Sequence, residues 1–147
     1  MLNPSIIRWI FASATQHFKV MADEYPITMY IEGIERKTTE EDKHVEFRMD
    51  ACGTEELSKG YYQIDININM LWSVDIDHVD FYESQRIIGK ILEYMTNICV
   101  YEYADGEAYV GELVIQETQT ANFGQIKEDA QVLQGTVDGR YVMHLTT

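Results

Sequence analysis

Asp75, Asp77, His78 and Asp80 crowd into one short stretch and form the densest group of side chains in the sequence able to bind a cation or move a proton. Oxygen ligands of this kind suit calcium or magnesium, but a calcium loop needs a glycine at its sharp turn, and Ile76 and Val79 leave none there. The acids read instead as a strand-to-helix junction, where negative charge favours the positive end of the helix dipole. A small hydrolase working through buried carboxylates is the one catalytic reading this cluster leaves open. With 25 Asp and Glu in the chain, two carboxylates will fall close together by number alone, so an acid/base pair cannot be inferred from the count.

Other chemistry has less to stand on. His17, His44 and His144 are scattered, and no serine or cysteine sits in a nucleophile pattern such as GxSxG. No GxxxxGK[ST] or GxGxxG is present to cradle a phosphate. Cys52 and Cys99 lie far apart, without a CxxC or a histidine at zinc-ligand spacing, and read as two thiols in a reducing compartment. The expectation is therefore a protein that is not an enzyme, with no catalytic residues, no cofactor and no metal.

The elements that would position these residues follow from periodicity. Residues 4–21 carry Ile7, Ile10, Phe11, Ala14, Phe18 and Met21 at helical spacing, with Pro4 suited to the first turn and Tyr25-Pro26 ending the helix. Arg8 and Lys19 are its only cations, too few for a membrane-surface helix, so packing on a sheet is expected. Residues 27–32 read as a short strand and residues 35–43 as an exposed polar loop. Val45, Phe47 and Met49 alternate with Glu46 and Arg48 as a second strand, and residues 51–60 read as a connection.

The strongest pattern runs over residues 62–76. Tyr62, Ile64, Ile66, Ile68, Met70, Trp72, Val74 and Ile76 fill the even positions, and mostly polar residues fill the odd ones. This predicts a strand with one wet face, of about 50 Å if unbroken, which must bend or project beyond a small core. Trp72 and Tyr62 lie on its apolar face and are expected in the core. A second helix over residues 80–97 places Phe81, Ile87, Ile88, Ile91, Leu92 and Met95 inward, with Arg86 and Lys90 outside. Strands over 98–103 and 108–118 flank a turn at 104–107. Residues 119–129 read as a loop, and 130–145 as a long strand softened by Gly135 and Gly139. The sum is a single domain, 1–147, of the α+β class: a mainly antiparallel sheet, two amphipathic helices packed on one face, and long projecting strands or a hairpin.

Length and charge bound the function further. A chain of 147 residues supports one ordinary core without staples, and 46% hydrophobic with 24% charged residues is a globular composition. The net charge of −14 repels phosphate backbones, which argues against nucleic-acid binding. The first residues lack the basic region of a secretion signal, and no apolar run is long enough to span a membrane. Charge is also unevenly spread: Arg36, Lys37, Lys43, Arg48 and Lys59 cluster early, whereas residues 60–126 hold only Arg86 and Lys90 against eleven acids. A chain with that polarity can meet copies of itself head to tail, and such a contact closes into a ring where the rotation permits. Arg36, Lys37, Lys43, Arg86 and Lys90 are the candidate interface residues on this reading.

An N-terminal helix, the alternating strand IDININMLWSVDI, a short acidic junction into the helix DFYESQRIIGKILEYM, and a final strand VLQGTVDGRYVMHL together resemble the small neck and tail-terminator proteins of tailed bacteriophages. The order of elements spans nearly the whole chain, the likeness is strongest over residues 60–147, and no single diagnostic motif carries it. The resemblance implies a structural virion protein, assembled in the host cytoplasm. Such a protein forms a ring, usually a hexamer, that caps the tail tube and joins it to the head-side connector or stopper protein. It implies no catalytic residues. An acidic lumen would let DNA pass without sticking. The polar loop at 35–43 departs from the pattern and leaves open another ring of the neck or tail tube. A different class also remains, an acidic mimic of DNA that occupies a nucleic-acid-binding enzyme.

Overall fold

The alternating segment is the middle of the protein. In the computed structural model, β3 (Tyr61–Asp75) buries Ile64, Ile66, Ile68, Met70, Trp72 and Val74 completely, as strict period two requires. The structure describes residues 2–32, 42–80, 82–102, 108–127 and 130–146, without the side chains of 124–127 and 130–131. Helix α1 (Ile6–Glu24) is followed by β1 (Thr28–Ile31), β2 (Lys43–Ser58) and β3. Helix α2 (Glu83–Tyr94) is followed by β4 (Ile98–Glu102), β5 (Ala108–Lys127) and β6 (Ala130–Thr146). The fold is α+β, as expected.

The strands form one six-stranded sheet in the order β1-β2-β3-β6-β5-β4. Only β1 and β2 run parallel; the other neighbours are antiparallel. Each half of the chain is thus a helix followed by three strands, and the halves join along β3 and β6, paired without a break from Tyr61↔Thr146 to Asp75↔Val132.

Both helices lie on the apolar face. Phe47 of β2, opposite Met70, packs against Phe11 and Phe18 of α1 with ring centroids 5.9 Å apart in each pair. On the same face the Tyr141 hydroxyl of β6 meets the Met95 sulfur just past α2, at 3.6 Å. Helix α1 also binds the β4 edge, where the Tyr101 amide donates to Ser13 Oγ at 3.0 Å. That bond gives a buried serine a partner and occupies a strand-edge donor. Trp9, buried on α1, belongs to the inward face too, although the helical spacing read from the sequence did not include it. Helix α1 ends at Glu24, with Tyr25 as its extended C-cap just before Pro26.

Three expectations about the elements need correction. Residues 51–60 are largely strand: β2 continues to Ser58 opposite β3, absorbing bulges at Ala51/Gly53 and Glu56/Ser58 and closing at Gly60, whose φ of 77° suits only glycine without strain. Residues 119–127 are also strand, because β5 continues along β6 as far as Lys127↔Ala130. Their polar side chains gave no alternation, since residues 116–123 are exposed on both faces. Helix α2 is shorter than its apolar spacing implied, and Leu92 is 39% exposed.

Gly135 and Gly139 are not points of softness. A Cβ at Gly135 would stand 2.4 Å from the Ala121 carbonyl oxygen and 2.4 Å from the Trp72 ring, and one at Gly139 would stand 2.7 Å from the Met95 sulfur. Glycine here makes room for large core side chains on the neighbouring elements.

Candidate functional site

The residues singled out for charge fall into three settings. Arg36 and Lys37 lie outside the described residues. Lys43, at the start of β2, points its ammonium at Glu83 Oε1, 2.8 Å away, and sits 4.8 Å over the Tyr25 ring. Arg86, one turn along α2, binds Glu83 Oε2 at 3.0 Å and Asp80 Oδ2 at 3.2 Å. Lys90 binds Glu24 Oε1 at 2.6 Å and Glu93 Oε2 at 3.4 Å, and its side chain is only 17% exposed. All three described candidates therefore engage acids of their own chain.

Glu83 is the hub of this arrangement. It is buried at the first turn of α2 and accepts hydrogen bonds from the Tyr25 hydroxyl, the Lys43 ammonium and the Arg86 guanidinium. Burial alone would push its carboxyl up, but these donors outweigh it and bring the carboxyl down to about 2. The carboxylate ties the end of α1, the start of β2 and α2 together. Burial and the adjacent carboxylate hold the Tyr25 hydroxyl well above its usual range, so it acts as a donor. Lys90 and the Tyr94 hydroxyl make a second tie between the helices by converging on Glu24.

The acidic junction behaves partly as expected. Asp80 Oδ1 accepts from the Tyr82 amide at 2.7 Å just before α2, which occupies a helix-start donor. Asp77 donates its amide to Asp75 Oδ1 at 3.0 Å. Asp75 and His78 come together with Asp42, a residue the sequence reading did not include, because β2 begins beside the end of β3. His78 Nδ1 lies 3.0 Å from Asp75 Oδ2 and 3.8 Å from Asp42 Oδ1. The hydrogen bond to Asp75, and then the charges of Asp75 and Asp42, raise the imidazole above its usual value. When protonated, His78 offsets one of the two negative charges; His78 and Asp42 are exposed and Asp75 is half-buried.

The remaining surface is the polar face of the sheet. Odd residues of β3 share it with Glu46, Arg48 and Asp50 of β2 and with Asp138, Arg140 and His144 of β6. A shallow cavity of about 400 Å³ lined by Gln63, Asp65, Glu117, Arg140 and His144 is continuous through Glu117 and Arg140 with one of about 200 Å³ reaching Asn67 and Asp138. Side-chain amides bridge the strands here, Asn69 to Asp138 and Gln134 to Ser73, and the Tyr61 and His144 rings stack 5.6 Å apart. No group in either cavity combines a nucleophile with a base at hydrogen-bond distance among the described residues.

Trp72 is buried in the core as expected, and Tyr62 is half-buried at the start of the same face. No described helix is long and apolar enough to cross a membrane. No protein-family model matches the chain, and no curated protein matches it.

Proposed function

We propose that this chain is a structural virion protein, a ring-forming tail-terminator subunit that caps the tail tube and joins it to the head-side connector. The observation that carries this reading is the open edge of the sheet that β2 presents beyond the short β1. From Asp50 to Lys59 every residue of β2 and its turn is exposed, while the segment stays paired on one side with β3, which β6 covers in turn. An edge segment whose own side chains stay out of the core, with Leu57 at 45% and Tyr61 at 37% exposure beside its turn, is suited to contact a neighbour. Its function on this reading is assembly, without catalysis.

The test is the native mass of the purified protein at several concentrations, with negative-stain images of the same samples. Closed rings of one symmetric size are the expected result. A monomer at every concentration would remove the reading and return attention to a mimic of DNA, for which capture of a DNA-binding enzyme is the matching assay.

A further inference from the structure

With Lys43, Arg48, Arg86 and Lys90 all in ion pairs, the described cations that have no acid within reach are Arg8, Lys19, Lys59 and Arg140. Arg8 and Lys19 are both on α1, and both are exposed. They are eleven residues apart, which is about 20° around the helix and about 16 Å along it, so they top and tail a single outward stripe. Between them the stripe carries the half-buried Ala12 and Thr15, with no acid before Asp23. In a chain of net charge −14 this is a conspicuous surface to leave positive and unpaired.

The opposite charge sits across the sheet. Asp50 stands opposite Asn67 and Glu55 opposite Gln63, so the bulge between Ala51 and Gly53 keeps both acids on the polar face, about 13 Å apart along β3. Asp65 lies between them, opposite Gly53. None of the three is in an ion pair with a described cation; Asp65 takes only an amide hydrogen bond from Gln63, at 3.3 Å. The cations of this face beside the patch are Arg48, two residues before Asp50 and paired with Glu32 and Glu46, and Arg140, opposite Asn67 on the far strand, which is in no ion pair with a described acid.

We propose that the α1 stripe of one copy, through Arg8 and Lys19, docks on the Asp50–Asp65–Glu55 patch of a second copy. The inference rests on the ring reading and names the joint that closes it. The two surfaces match in sign and nearly in length, and the long arms of arginine and lysine take up the difference of a few ångströms. They lie on opposite faces of the same sheet, so one chain cannot satisfy itself. A two-fold pair cannot bring both couples together face to face either. The contact is therefore head to tail, the kind that propagates to closure. Charge pairs at such a joint set orientation and register.

Charge reversal tests this without touching the core. R8E/K19E and D50K/E55K, each made in the full chain, are expected to shift half-assembly to at least tenfold higher concentration, with circular dichroism unchanged. The four substitutions combined in one chain are expected to restore rings. Rings that persist in both double variants, or a combined variant that stays dissociated, would overturn this joint and leave the ring reading standing. A wild-type chain that is monomeric at all concentrations would overturn both.

Discussion

Glu83 shows how one side chain can decide the local energetics. Its carboxyl, brought down to about 2 by three donors, must be protonated in any folded molecule at low pH against their attraction. A group whose folded value lies below its ordinary 4.5 stabilises above that ordinary value and loses its contribution as pH falls toward the folded one. Acid unfolding should therefore steepen between pH 4.5 and about 2. Glu83→Gln should cost about 2–3 kcal/mol at neutral pH and flatten that window, as read from urea midpoints across pH. Gly135 makes the opposite kind of demand. Gly135→Ala drives a methyl into the Ala121 carbonyl and the Trp72 ring, and thermal or urea unfolding should report a loss of about 1–3 kcal/mol. Neither role could be read in the sequence. Glu83 and Lys43 are forty positions apart, and nothing local distinguishes Glu83 from the chain's other acids. The candidate cations Lys43, Arg86 and Lys90 were recognisable as charged and surface-seeking, but the acids that hold them came from other elements.

Among the elements, what was legible is what carries its own periodicity. Strand β3 shows its apolar face at every second residue, and α1 shows its stripe at helical spacing, because each buries one face against a core that covers its whole length. The outer half of β2 and residues 119–127 of β5 were misread because no core lies against them. Backbone pairing with a well-patterned neighbour makes them strands, and that information is in the neighbour. The same distinction sets their dynamics. Amides of Thr54–Ser58, on an open sheet edge with side chains exposed on both faces, should exchange with solvent ~10²-fold or more faster than those of Ile66–Val74, which are locked between β2 and β6. Hydrogen exchange by mass spectrometry resolves the two segments, and equal protection would mean that this edge is held by something other than its ladder.

For the whole molecule, the charge of −14 sets two opposing terms. Like copies repel at long range, while the proposed joint between α1 and the β2–β3 patch attracts at short range. Salt screens both, with a Debye length of about 8 Å at physiological ionic strength and about 3 Å at 1 M. Exposed pairs at the joint weaken with the rest, so ring assembly should pass through an optimum at moderate salt and fall at 1 M, as followed by native mass. Monotonic strengthening up to 1 M would place the joint on apolar residues such as Leu57 and Phe123 instead.

The place of β6 in the sheet has a consequence for biosynthesis. It is the last strand in chain order, yet it lies between β3 and β5. On a ribosome, β3 is complete when Asp75 has emerged, but the strand that covers its second edge does not begin until Ala130. At typical elongation rates this leaves the isoleucine-rich edge open for about 3–10 s, long enough for stray pairing between nascent chains. The seam that unites the two halves is thus also the point where a growing chain is most in need of a chaperone.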